Sequence, residues 1–236
     1  MAVLCDKTAC LKGVQKMASA VIVAAGMGRR MGAGMNKAYL LLCGKTILEN
    51  TVSVFENCKK INEIIVVTDD TEKCRDLLKD FKKVTAVVLG GKTRQDSVKN
   101  GVKACTGEFV AIHDGARALI CEKDIERVIC EAETHGAAAL GVKCKDTLKI
   151  ADENGFITKT ADRNFIYQIQ TPQVFKRTEI AKAHENASGE FTDDCAVLER
   201  EGKKIKIVEG SYENIKITTP EDLIIAEKIL EKRNIK

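Results

Sequence analysis

Short β-branched runs alternate with amphipathic stretches along most of this chain, and that alternation admits few architectures. Such a rhythm builds βαβ units on a mostly parallel sheet with helices on both faces. The pattern predicts strands over 21–25, 63–68, 84–89, 109–113 and 137–143, with helices over 46–58, 71–81, 93–105 and 122–135. Thr46, Thr71 and Thr93 are the expected N-caps, because a hydroxyl can accept one of the orphan N–H groups of a first turn. After 143 the rhythm changes. Segments 146–150 and 156–160 flank the turn residues Asp152, Glu153, Asn154 and Gly155 and read as a β-hairpin arm leaving the sheet. Helices over 176–186 and 193–201, a strand over 204–208 and a helix over 220–233 complete the pattern.

The 236 residues suit one α/β domain with an appendage, so residues 19–236 are expected to form a single unit with an arm over about 144–170. Residues 1–18 read as an N-terminal extension, and Met17 as an alternative start. That segment has no apolar run of signal-peptide length, and no segment approaches a membrane span. Basic and acidic residues, 38 and 34, are interspersed, so no stripe suited to a nucleic-acid backbone forms. A locally basic pocket for a small anion fits better. The ten cysteines are scattered singly without CxxC or zinc spacing and read as reduced, small hydrophobes, which points to the cytoplasm.

The expected first strand runs into Ala24-Ala25-Gly26-Met27-Gly28-Arg29-Arg30-Met31-Gly32, followed by Asn36 and Lys37. A glycine-rich turn at the carboxyl end of a first strand offers backbone N–H groups to phosphate. The dinucleotide fingerprint fails, because Met31 stands where a third small residue is needed for close helix packing. Two Gly-Lys-Thr triplets, at 44–46 and 91–93, also fail as P-loops, with Tyr39 and Ala86 at the first glycine positions. What remains is a loop of backbone donors with guanidinium and ammonium groups, suited to a polyanion. Adjacent arginines cannot easily face one phosphate together, so Arg30 is assigned to the ligand and Arg29 to structure.

The runs AAGMGRRMG with Lys37, GGKTRQDSV at 90–98, HDGAR at 113–117, KDT at 145–147, DRN at 162–164, QTPQ at 170–173, TDD at 192–194 and NIKIT at 214–218 resemble the 2-C-methyl-D-erythritol 4-phosphate cytidylyltransferase family. The resemblance covers residue 20 to the end. It implies a Rossmann-like fold of the nucleotidyltransferase type, a homodimer with arm exchange, and magnesium-dependent transfer of CMP from CTP to methylerythritol phosphate. It further implies that Ala24, Ala25, Gly26, Arg30 and Lys37 grip the triphosphate. Gly91 and Ser97 would lie beside the cytosine, with Asp114, Gly115 and Arg117 at the junction of the two substrates. Lys216 would reach phosphate from a carboxyl-terminal strand. Thr147, Arg163 and Thr171 match positions that recognise the phosphorylated polyol, Thr147 and Arg163 coming from the partner subunit.

Asp114 suits a magnesium ligand, directly or through water, or a turn-forming residue before Gly115. His113 reads as core packing, and Asp193 and Asp194 as acidic residues at a helix start. Three positions depart from the family pattern: Asn36 and Ala118 replace prolines, which would loosen the backbone beside the site, and Lys92 replaces a frequent acidic residue. Two other readings stay open, a ribitol 5-phosphate cytidylyltransferase and a non-catalytic nucleotide-binding regulator.

Overall fold

The computed structural model describes residues 18–26 and 36–234. Arg30, Arg29 and most of the glycine-rich loop therefore lie outside the described residues, as does nearly all of the amino-terminal extension.

Strand β1 (Ala18–Val23) leads through a short 3-10 turn, Lys37–Tyr39, into a two-stranded turn of β2 (Leu41–Leu42) and β3 (Lys45–Thr46). Helix α1 (Ile47–Asn57), β4 (Ile61–Thr68), α2 (Thr71–Leu78), β5 (Val84–Leu89), α3 (Arg94–Ala104), β6 (Phe109–Asp114), α4 (Glu122–His135) and β7 (Ala137–Lys143) then alternate as expected. The arm carries β8 (Lys149–Ala151) and β9 (Ile157–Thr160). Strand β10 (Tyr167–Lys176), α5 (Arg177–Asn186), α6 (Asp194–Arg200), β11 (Lys206–Glu209) and α7 (Pro220–Asn234) follow.

Seven strands form the central sheet in the order β11-β7-β10-β6-β1-β4-β5, and β10 alone runs antiparallel to both its neighbours. Sequence periodicity missed β10. Its segment, Tyr-Gln-Ile-Gln-Thr-Pro-Gln-Val-Phe-Lys, mixes polar residues and a proline into a strand that is buried along most of its length. Pro172 has no N–H to donate, and pairing with β7 lapses between Ile169 and Gln173.

Alternation across the sheet divides the core. Ala20 and Ile22 of β1, with Ile64 and Val66 of β4, face Leu48, Val52 and Phe55 of α1 and Val128 of α4. Their neighbours Val21, Ile65 and Val67 face Val98 and Val102 of α3. Gly101 lets α3 lie directly on β1, since a Cβ there would come within 2.4 Å of Val21. A third cluster joins Leu42, Ile47, Leu119, Ile217 and Ala226 and fixes α7 to the sheet end that carries the glycine loop.

Several boundaries differ from expectation for local reasons. Strand β1 stops at Val23, because the Ala24 carbonyl turns to accept the Asn36 side-chain amide at 2.7 Å. Thr46 and Thr93 cap α1 and α3 through reciprocal capping boxes with Glu49 and Asp96. Helix α2 is instead capped by Asp70, whose carboxylate accepts from the Lys73 N–H, so Thr71 is its first helical residue. Lys216 sits in irregular backbone rather than a strand: in segment 214–218 the Ile217 N–H reaches the Ala116 carbonyl at 2.9 Å, one bond where a ladder needs several.

Candidate active site

Parallel strands deliver their carboxyl ends to one edge, and a cleft of about 600 Å³ opens there between β1, β4 and β6. Ala25, Gly26, Lys37, Gly91, Ser97, Asp114 and Lys216 of the expected set line it, together with Asp69, Lys92 and Arg94. Among the described residues lining the cleft, four cations face two carboxylates. That balance suits an anion bound with a cation of its own.

The rim is set by the glycine loop and its supports. Ala24 donates its N–H to the Val67 carbonyl at 2.7 Å, extending the β1–β4 ladder by one rung. Gly26 follows at φ +122°, a conformation that requires glycine, and donates its N–H to the Asp69 carboxylate at 2.6 Å. On the far side of the loop Asn36 adopts φ −64°, the angle that proline would impose. Its side chain donates to the Ala24 carbonyl and accepts from the Ala38 N–H, so two hydrogen bonds stand where the family pattern has a ring. Ala118, the other departure, is buried in the α7 cluster. Lys37 begins the 3-10 turn beyond Asn36, and its Nζ donates to the Ile217 carbonyl at 2.9 Å, across the cleft mouth.

The floor is Asp114, the last residue of β6. Its carboxylate meets Lys216 Nζ at 2.8 Å, Arg94 Nη2 at 3.4 Å and Arg117 Nε at 3.6 Å. Burial by itself would raise the pKa of Asp114, but Lys216 and Arg94, then Arg117, outweigh it and hold the carboxyl well below the usual carboxylate range. Arg94 is gripped from behind by Asp194, whose Oδ2 lies 2.9 Å from Nη1 and which is almost fully buried. A carboxylate, guanidinium, carboxylate and ammonium thus run in sequence from the helix layer to the cleft.

Beneath the floor, His113 is fully buried and its pKa falls to about 4 because burial penalises the imidazolium. Its Nε2 lies 3.2 Å from the Arg117 carbonyl and its Nδ1 3.0 Å from the Thr171 hydroxyl. A carbonyl can only accept, so Nε2 carries the single proton and Nδ1 accepts from Thr171. The same hydroxyl accepts the Asp114 N–H at 3.1 Å. His113 is thereby a structural support, as its sequence context suggests, and Thr171 locks β10 to β6 directly under the carboxylate.

The remaining expected residues divide between frame and arm. Gly115 lets the ends of β6 and β1 approach closely, since a Cβ there would stand 3.1 Å from Ala24 and from the Val23 carbonyl. Gly91 has no room for a side chain against Asp96, and its N–H donates to the Ser97 hydroxyl, which in turn donates to the Thr93 carbonyl. Arg117 also donates to the Asn214 carbonyl at 2.7 Å, tying β6 to the segment that carries Lys216. Thr147 and Arg163 are exposed at the base of the arm and do not line the cleft, and Arg163 Nη1 donates to the Lys145 carbonyl.

Sequence reasoning left Arg94, Asp69 and Asp194 without a site role. Arg94 was within sight, since it opens α3 directly after the capping Thr93 at the carboxyl edge. Asp193 behaves as expected and caps α6 through Ala196. Asp194 does more, because α5 packs against both α3 and α6 and the start of α6 places its carboxylate behind Arg94.

Residues 18–232 match the family described as 2-C-methyl-D-erythritol 4-phosphate cytidylyltransferase. A relative of that name from Caldanaerobacter subterraneus subsp. tengcongensis is 49% identical over 226 residues, which cover 91% of this chain and 99% of the relative. Another from Clostridium acetobutylicum is 46% identical, with 93% of this chain and all of the relative covered. The crystal structure of 4-diphosphocytidyl-2C-methyl-D-erythritol synthase from Anaerococcus prevotii superposes with a TM-score of 0.83 at 34% identity, covering 92% of this chain and 97% of that one. The cleft chemistry and these relatives agree: the chain belongs to the 2-C-methyl-D-erythritol 4-phosphate cytidylyltransferase family, enzymes that join CTP and methylerythritol phosphate in isoprenoid biosynthesis.

Proposed function

We propose that this cleft performs the cytidylyl transfer with Arg30, Lys37 and Lys216 as its working cations. The observation that carries the reading is the Asp114 carboxylate encircled by Lys216, Arg94 and Arg117 at the floor of the cleft. A phosphate monoester is already an anion at neutral pH, so its oxygen can attack the α-phosphorus of CTP without a general base. The new P–O bond forms as the bond from the α-phosphorus to the bridging oxygen breaks, and pyrophosphate departs with that oxygen and its electron pair. Charge gathers on the equatorial oxygens in the transition state, where Lys37 and Lys216 neutralise it.

Ala25 and Gly26 offer backbone to the triphosphate, whereas Ala24, expected beside them, has its N–H and carbonyl committed to Val67 and Asn36 and serves as a support. Gly91, Ser97 and Gly115 shape the nucleoside side, and Asp114 and Arg117 hold the junction of the two substrates. Among the described residues no cluster of three or more His, Cys, Asp or Glu side chains could hold a metal. Magnesium would be carried largely by triphosphate oxygens, with Asp114, already paired with three cations, assigned to it directly or through water. When bound it would neutralise the departing pyrophosphate.

The polyol phosphate is assigned to Thr147 and Arg163, supplied by a second copy of the chain in a homodimer with exchanged arms. Thr171, expected with them, is buried with its hydroxyl between His113 and the Asp114 N–H and supports the floor beneath that pocket. Exposed Ile150, Phe156, Ile157 and Phe165 on the arm support that assembly. The site of action is assigned to the cytoplasm. All eight cysteines in the described residues are free, and no described helix is long and apolar enough to cross a membrane. Pyrophosphate release from CTP and magnesium with each polyol phosphate tests the reading. Methylerythritol phosphate is expected to support turnover and ribitol 5-phosphate to fail; the reverse result would transfer the chain to the ribitol reading, and release with neither would leave a nucleotide-binding regulator.

A further inference from the structure

Among the described residues, one carboxylate in the cleft makes no ion pair. Asp69 follows the last residue of β4, the strand paired with β1, and its Oδ2 accepts the Gly26 N–H at 2.6 Å. The spacing is informative. Val23 is level with Val67, and Ala24 donates to the Val67 carbonyl. Two residues further along each strand, Gly26 would next donate to a backbone carbonyl if the ladder continued. The Asp69 side chain takes that place instead and puts a full negative charge on the donor. Gly26 itself has φ +122°, so the chain turns sharply away directly after the residue whose N–H is held by an anion.

That anion lies on the wall of the cleft that also carries Lys37, Lys92, Arg94 and Lys216. Asp114 faces cations, whereas Asp69 turns to backbone. A triphosphate seated on the glycine loop needs the same kind of donor, and one N–H serves one close anion well. We propose that Asp69 is a phosphate surrogate: it keeps Gly26 aimed while the cleft is empty, yields the N–H to an incoming phosphate, and retakes it as pyrophosphate leaves. The proposal rests on the nucleotide reading of the cleft and makes Asp69 a positioning residue that acts through Gly26. Its cost is affinity, because a displaced carboxylate stays near the phosphate it gave way to.

Asparagine at 69 retains an oxygen for Gly26 and removes the charge, so the Asp69→Asn chain separates the two duties. Binding is measured by calorimetry for CTP with magnesium and for pyrophosphate with magnesium, and by NMR titration for cytidine. The dissociation constants for CTP and pyrophosphate are expected to fall roughly three- to tenfold in Asp69→Asn, with the gain shrinking in salt and cytidine unchanged. Unchanged or weaker pyrophosphate binding would overturn the proposal, as would an equal shift for cytidine, which would make Asp69 a nucleoside contact. A wild-type chain that bound neither CTP nor pyrophosphate would sink the nucleotide reading itself, a different failure.

Discussion

The cleft and the arm are built on opposite terms. In the cleft nearly every polar group has a partner within the same chain: Asp114 with three cations, Arg94 between two carboxylates, the Thr171 hydroxyl between His113 and the Asp114 N–H. The arm is a two-stranded ribbon whose residues in β8 and β9 are exposed throughout, with Phe156 and Phe165 more than two-thirds uncovered. A hairpin of this size is marginal in water without a surface to cover one face. The contrast is the one that the proposed arm exchange requires: a cleft whose polar groups are partnered within one chain, and an arm whose apolar side chains await a second surface.

The largest effect should come from the cleft. Lys37→Ala is expected to lower turnover roughly 100- to 1000-fold, the scale of losing one preorganised donor to a developing oxyanion, measured as pyrophosphate release at saturating substrates. Near-normal turnover would remove Lys37 from the chemistry.

A smaller effect lies beneath the floor. His113 has a folded-state pKa of about 4 against about 6.5 when unfolded, so below the unfolded value the unfolded chain binds a proton that the native chain refuses. The stability this group contributes is therefore complete above about pH 6.5 and is lost as pH falls toward 4, by up to about 3 kcal/mol. Urea unfolding between pH 7 and 4 should show that slope, and His113→Gln should flatten it. Asp114 adds only roughly a few tenths of a kcal/mol at the acid end of this window, because its folded carboxyl stays ionised while the unfolded one starts to take up protons below about pH 5.

The arm should respond in assembly rather than in folding. Phe156→Ser with Ile157→Ser is expected to shift the chain toward monomer in light scattering, while unfolding free energy per chain moves by only about 0.5 kcal/mol for each exposed position. A large loss of chain stability would mean that the arm packs on its own subunit.

The same contrast explains what the sequence made legible. Strands β5 and β7 fall at their expected limits, and β4, β6 and the helices between them lie close, because short apolar runs bounded by polar and turn residues mark the strands and capping residues mark helix starts. Strand β10 escaped because Gln170, Thr171, Pro172 and Gln173 look like a loop until His113, Asp114 and Asn214 supply their partners. Glycine, lysine and Asp114 positions of the cleft were readable as motifs. Arg94 and Asp194 were not readable as a pair, since 100 residues separate them and they come to 2.9 Å only because α3 and α6 both pack against α5. Asp69 was hidden for a similar reason: its role comes from register between β1 and β4, which no local pattern records.

The shared pocket is tested most directly by mixing two inactive chains. Lys37→Ala disables the cleft and Arg163→Ala the arm, and co-expression of the two produces mixed dimers. If each cleft is completed by the other subunit's arm, one site of every mixed dimer carries both changes and the other carries neither, so about a quarter of wild-type turnover should return. Turnover no higher than the average of the two separate variants would show that cleft and arm serve the same chain, and would contradict a pocket completed by the second subunit.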